Sequence, residues 1–166
     1  MNITISAVGA VYHKCEPEWL EESLSSLINQ SVDLDEIILV VDGPINSKLE
    51  FSINKFLKKI TVLKKKKNEG LAKALNYGIS KSSSNYILRY DTDDINSLDR
   101  VKIQLDILKR NPKLDILGSW VKEFGESNLI RKSPLSNDEI YSYLKFRVAM
   151  NHPTVIFKKK VWQEID

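Results

Sequence analysis

Residues 86–94 read YILRYDTDD. The first half, Tyr86 to Tyr90, is a short run of large and branched apolar side chains, the pattern of a buried strand. The second half, Asp91-Thr92-Asp93-Asp94, sets three carboxylates where that strand stops. In open α/β sheets ligands bind beyond the carboxyl ends of the strands. The acidic tetrad therefore stands where such a fold does its chemistry.

Reading outward toward the N-terminus, strand and helix patterns alternate. Ile3 to Val11 is apolar and β-branched, hence a strand. Pro17 suits a first helical turn, and Leu20, Leu24, Leu27 and Ile28 follow at helical spacing through Ser31. Glu36 to Val41 (EIILVV) is a second buried strand, closed by the turn Asp42-Gly43-Pro44. Ser47 with Glu50 three residues on reads as a capping box, opening a helix with Leu49, Ile53, Phe56 and Leu57 on its apolar face. Ile60 to Leu63 is a third strand. Leu71, Ala74, Leu75 and Ile79 give another helical stripe, and Leu98, Val101, Leu105 and Leu108 one more, stopping by Asn111-Pro112. The first hundred residues thus read βαβαβαβ, which implies parallel strands joined by right-handed crossovers.

Toward the C-terminus the pattern changes. Leu114 to Phe124 and Asn128 to Lys132 read as strands joined by a Gly-Glu-Ser-Asn turn. Ser136 with Glu139 is a second capping box, before a short helix with Ile140, Tyr143 and Leu144. Thr154 to Phe157 reads as a strand, and Lys159 to Asp166 as the opening of a helix. The expected organisation is one domain over 1–166, with a first part over 1–110 and a second over 111–166. The helix opening at Lys159 makes a chain cut short at its C-terminus the expectation.

Composition bounds the partners. The 166 residues carry 25 Lys plus Arg against 22 Asp plus Glu, a net charge of +3. That is too mild to demand nucleic acid, and no aromatic residues interleave the lysines at 58, 59 and 64–67. Those lysines read as a solvated face or as a contact for anionic lipid, where each contributes ~1 kcal/mol. One cysteine, Cys15, fits a reducing cytoplasm. The longest apolar run, Ile37 to Val41, is far below the ~20 residues of a membrane-spanning helix. A cytoplasmic location, peripheral at the inner face of the plasma membrane, is the expectation.

Three carboxylates packed as closely as Asp91, Asp93 and Asp94 repel one another unless a cation or water intervenes. Their hard oxygens suit Mg²⁺ or Mn²⁺, ions that take substrate phosphates as further ligands. The spelling alone favours a solvated acidic turn before a helix, and its position after a buried strand weighs against that. Asp42 is either a turn residue or a hydrogen-bond acceptor for a base N–H at the sheet edge. Asn68, Gly70, Ala74, Asn76 and Gly78 form N-x-G-x-x-x-A-x-N-x-G, whose small residues allow close helix-on-sheet packing and whose leading amides can face an anion.

Taken in order, VGAVYH, IILVVDGP, NEGLAKALNYGI, YILRYDTDD and NHPTVIFKK resemble the family 2 glycosyltransferases, in the branch that builds bacterial capsular and exopolysaccharides, amylovoran-type enzymes included. The resemblance covers essentially the whole chain. It implies a GT-A fold, a Rossmann-like three-layer α/β/α arrangement with a mostly parallel sheet. It implies a nucleotide-diphosphate-sugar donor, usually of UDP, a Mn²⁺ or Mg²⁺ ion held at a DXD motif, and a saccharide or lipid-linked saccharide acceptor. Carried over by position, Asp42 binds the base, Ala10 and Tyr12 line the nucleotide pocket, and Asn68 approaches the nucleotide. Asp91 and Asp93 are the DXD pair, with Asp94 beside them as a metal carboxylate.

The family often has Asp-Asp-Gly-Ser at the second strand, where this chain has Val41-Asp42-Gly43-Pro44; contacts near the ribose are thereby in question. The family's catalytic base lies well after the segment matching Asn151-His152-Pro153-Thr154, so the base is expected beyond Asp166, and poor transfer by this chain with it. His152 reads as a metal or acceptor contact or as part of a turn, and Trp19, Trp120 and Trp162 as core or rim aromatics. A nucleotide-sugar-binding module without catalysis is the alternative. A haloacid-dehalogenase-type phosphatase is disfavoured because its D-x-D-x-[TV] motif should close the first strand.

Overall fold

The computed structural model describes residues 2–165. The elements run β1 (Ile5–Val11), α1 (Pro17–Ile28), β2 (Glu36–Val41), α2 (Ser47–Asn54), β3 (Thr61–Lys64), α3 (Leu71–Lys81), β4 (Tyr86–Arg89) and α4 (Arg100–Arg110). There follow β5 (Ile116–Leu117), β6 (Val121–Lys122), β7 (Ile130–Arg131), α5 (Asn137–Leu144), a 3-10 turn at His152–Thr154, β8 (Ile156–Lys158) and α6 (Lys159–Ile165). The main sheet has the order β3-β2-β1-β4-β8-β5, and β6 pairs with β7 apart from it. β1 to β4 are mutually parallel, while β8 runs antiparallel to both β4 and β5. The chain winds outward from β1 through β2 to β3, then crosses back to place β4 on the other side of β1. That reversal opens a crevice at the carboxyl ends of β1 and β4.

Alternation along the strands divides the core in two. Ala7, Leu39 and Leu88 pack with Leu20, Leu24 and Leu27 of α1, Leu49 and Ile53 of α2, and Val101 and Leu108 of α4. Val8, Ile38, Val40 and Ile87 face the other way, against Ala74, Leu75 and Ile79 of α3. The small residues of α3 do bring helix and sheet close: a Cβ on Gly78 would stand 2.7 Å from Val8 Cγ1.

Three local expectations differ. The cap of α2 is Asn46, whose side chain accepts from Leu49 N at 2.9 Å. Ser47 is already helical, and Glu50 pairs with Lys64 at 2.7 Å instead of closing a capping box. Leu98 precedes α4 and is exposed. The stretch 114–124 is two short strands rather than one, because Gly118 and Ser119 turn aside where Ser119 N donates to Thr154 Oγ1 at 3.0 Å. The Ser136–Glu139 capping box is present. Asp166, the last residue of the expected final helix, lies outside the described residues.

Candidate active site

The carboxyl ends of β1, β2 and β4 surround one cavity of about 520 Å³, lined by Ala10, Tyr12, Asp42, Asn68, Asp91 and Asp93, with Lys14, Cys15 and Trp19 at its wall. These first six are the residues picked out as the nucleotide site, brought together from four separate segments.

Asp42 is buried, and its carboxylate is already engaged. Oδ2 accepts from Gly70 N at 2.8 Å and from Glu69 N at 3.2 Å; Oδ1 accepts from Glu69 N at 3.1 Å and meets Lys65 Nζ at 3.3 Å. The anion that faces the amides ahead of α3 is thus the chain's own Asp42, which fixes the Asn68–Gly70 loop over the cavity. Gly43 makes this approach possible: its φ is +90°, and a Cβ there would sit 2.5 Å from Asn68 N.

The acidic loop is tied to α1 and to the residues just after it. Ser23 Oγ donates to Asp91 O at 2.7 Å, Asn96 N donates to Ser26 Oγ at 3.0 Å, and Gln30 Nε2 donates to Ser97 O at 2.8 Å. Thr92 Oγ1 donates to Ala10 O at 3.3 Å, joining the loop to the end of β1. These bonds orient the carboxylates before any ligand arrives.

The three carboxylates do not share one environment. Asp91 pairs with the guanidinium of Arg89, a β4 residue only 3% exposed. Asp93 is exposed and has no ion pair among the described residues. Asp94 lies in the wall of a second cavity of about 290 Å³, with Arg100 and Trp120. Burial, then the charges of Asp91 and Asp93, push the Asp94 carboxyl above the ordinary range. Burial likewise lowers Arg100 to about 10, and Arg100 Nη2 donates to Arg89 O at 2.9 Å. Part of the repulsion in the tetrad is therefore offset from behind by two arginines. Among the described residues no three His, Cys, Asp or Glu side chains form a ready metal cage. The donor set is one-sided, Asp91 and Asp93 at a shared cavity wall, and it fits a hard divalent ion that draws its other ligands from phosphate and water.

Lysines 64–67 are not a uniform solvated face. Lys65 is largely covered and bridges Asp42 and Glu69, while Lys64 pairs with Glu50. Trp19 and Trp120 are exposed, the first on the cavity at the carboxyl ends of β1, β2 and β4 and the second on the Asp94 cavity, so both are rim rather than core. Trp162 packs partly buried against the α3 core. His152 is exposed, beside Arg89, and the surrounding protein followed by the Arg89 charge lowers its pKa. Arg89 and Arg100 were not among the expected site residues; the visible signal for the first was a charged residue inside an otherwise apolar strand. No helix among the described residues is long and apolar enough to cross a membrane.

Residues 6–163 match the family model Glycosyl transferase family 2. The chain is 37% identical over 160 residues to the UDP-Gal:alpha-D-GlcNAc-diphosphoundecaprenol beta-1,3-galactosyltransferase of Escherichia coli, covering 93% of this chain and 58% of that protein. It is 35% identical over 158 residues to the amylovoran biosynthesis glycosyltransferase AmsE of Erwinia amylovora, covering 93% and 59%. It spans less than two thirds of the length of either relative. Among solved structures, residues 1–349 of S. aureus TarS with UDP superpose at a TM-score of 0.76 and 20% identity, over 98% of this chain and 48% of that one. The mannosyltransferase PcManGT of Pyrobaculum calidifontis, with GDP-Man and Mn²⁺, superposes at 0.73 and 16% identity, over 99% and 47%. The fold is GT-A, with the mostly parallel central sheet expected, and the chain belongs to glycosyl transferase family 2.

Proposed function

We propose that this chain binds a UDP-sugar together with Mn²⁺ or Mg²⁺ and serves its inverting transfer to a saccharide or lipid-linked saccharide. Residues 1–110 form the donor-binding half, and those from 111 onward begin the acceptor side. The observation that carries the reading is the convergence of Ala10, Tyr12, Asp42, Asn68, Asp91 and Asp93 on one cavity at the sheet's carboxyl edge. Tyr12, exposed on the rim, and Ala10 form the floor for the base and ribose. Asp42 acts on the nucleotide by holding the Asn68 loop at the cavity wall. Asp93 and Asp91 hold the ion, with Asp94 behind them. A bound ion supplies positive charge to the departing diphosphate.

In an inverting transfer a carboxylate takes the acceptor hydroxyl's proton as that oxygen attacks the anomeric carbon. The exposed Lys58, Lys59, Lys66 and Lys67 and the lipid-linked substrate in the E. coli relative's name support contact with an anionic membrane at its cytoplasmic face. Calorimetry with UDP, with and without Mn²⁺, tests the donor reading. Metal-dependent binding is expected; no UDP binding in either condition overturns it. A transfer assay on the same protein separates an enzyme from a binding module.

A further inference from the structure

One guanidinium closes the acidic loop. Arg100, the first residue of α4, donates from Nη2 to Arg89 O at 2.9 Å and from Nη1 to Asn96 Oδ1. Residues 89 and 96 flank the segment that carries Asp91, Asp93 and Asp94, so a single side chain spans its neck. The third arm turns back along the helix, where Nε donates to Gln104 Oε1 at 3.2 Å. Gln104 is only 3% exposed, and its Nε2 donates to Thr154 O at 2.9 Å. That bond holds the amide, and the amide in turn fixes the plane of the guanidinium. A planar fork can serve acceptors in several segments at once, whereas an ammonium on a flexible stem does not hold that geometry.

All three acceptors are neutral amide oxygens, although three carboxylates stand on the same loop. The donors of Arg100 therefore set the shape of the loop. Shape matters there because like charges drive the loop open, while a hard divalent ion demands a defined set of oxygens. Ser23 and Thr92 hold the first half, at Asp91 O and at the end of β1. Arg100 joins the second half back to β4. It lines the Asp94 cavity and not the cavity at the carboxyl ends of β1, β2 and β4, so it acts on that site through the loop. Resting on the metal and UDP reading above, we propose that Arg100 is a positioning residue, which clasps the acidic loop so that Asp91 and Asp93 meet one ion.

Calorimetry titrates UDP in Mn²⁺ and in EDTA against the natural sequence, Arg100→Lys and Asn96→Ala, with a thermal melt of each. Arg100→Lys keeps the charge, and Asn96→Ala keeps Arg100 itself; both break the bridge across the neck. In each, the Mn²⁺-dependent gain in UDP affinity should fall about tenfold, the scale on which the partners of a metal ligand act, while affinity in EDTA stays within about twofold. A packing role alone would weaken UDP equally in Mn²⁺ and in EDTA, and that result overturns the assignment. Full gain in Arg100→Lys would mean that charge suffices, and full gain in Asn96→Ala that the neck need not be closed; either overturns it too. Should Arg100→Lys fail to fold, Asn96→Ala decides alone. Absence of Mn²⁺-dependent UDP binding to the natural sequence fails at the earlier step, the donor reading itself, and takes this one with it.

Discussion

Gly70 donates its backbone N–H to Asp42 Oδ2 at 2.8 Å, across 28 positions of sequence. The bond joins the end of β2 to the loop that leads into α3, and with the Glu69 amide it makes a buried carboxylate the organiser of one cavity wall. Asp42→Asn replaces one acceptor oxygen with a donor facing those N–H groups. The expected cost is about 2 kcal/mol, which lowers Tm by about 4–8 °C in a domain of this size, with weaker UDP binding besides. An unchanged melt would show that the loop holds itself.

Asp91 and Asp93 share a motif but differ in surroundings, and their amide variants should differ accordingly. Asp93→Asn removes an exposed carboxylate with no ion pair among the described residues, so its Tm should stay within about 1 °C of the natural sequence. Its Mn²⁺-dependent gain in UDP binding should fall about tenfold or more, the scale of one lost metal ligand. Asp91→Asn strands the buried Arg89 charge. It should cost about 2–3 kcal/mol, less than a fully buried pair, because the Asp91 side chain is 32% exposed. Thermal melts and calorimetry on both variants check the contrast; equal melts would remove the asymmetry.

Much of this was legible beforehand because it depends on local pattern. The continuous apolar runs of β1, β2 and β4 are buried on both faces, so each read as a strand, and alternation with helices implied parallel order. The capping box at Ser136 needs only four residues, and it was found. What escaped depends on contacts between distant segments. Nothing local marks Asp42 as the partner of Gly70, or Lys65 as the one lysine of its run that turns inward to that carboxylate. The Asn46 cap lost to Ser47 because both spellings suit a helix start, and Lys64 then drew Glu50 away from the competing box. Arg89 was readable only as an anomaly: a charge at the end of an apolar strand, whose partner lies two residues on, past the strand's end.

The raised Asp94 carboxyl has a consequence with a definite sign. Burial, Asp91 and Asp93 all favour its protonated form in the folded state. Between the ordinary aspartate value of 3.8 and its raised one, the native protein holds more protons than the unfolded chain, so stability falls as pH rises through that window. Above the raised value the whole penalty is present. Asp94→Asn should therefore melt higher than the natural sequence at pH 7, with the gap closing below about pH 4, where the carboxyl is protonated in both states. A gap that is the same at both pH values, or reversed at pH 7, would contradict this account.

Gly43 and Gly125 separate backbone strain from crowding. Both have positive φ, +90° and +84°, but a Cβ on Gly43 would lie 2.5 Å from Asn68 N whereas one on Gly125 meets nothing within 4 Å. Gly125→Ala should cost about 1 kcal/mol, the penalty for a side chain in that conformation, with UDP binding unaltered. Gly43→Ala carries the same penalty plus the displacement of backbone, which cannot swing aside as a flexible side chain would. It should therefore cost about 1–3 kcal/mol more than Gly125→Ala. The added loss should appear also in UDP affinity, since the atoms pushed away belong to the Asn68 loop over the cavity. Paired melts and UDP titrations read both quantities. Equal stability loss in the two variants, with UDP binding intact in each, would mean the loop yields to the added methyl group and that Gly43 serves the turn alone.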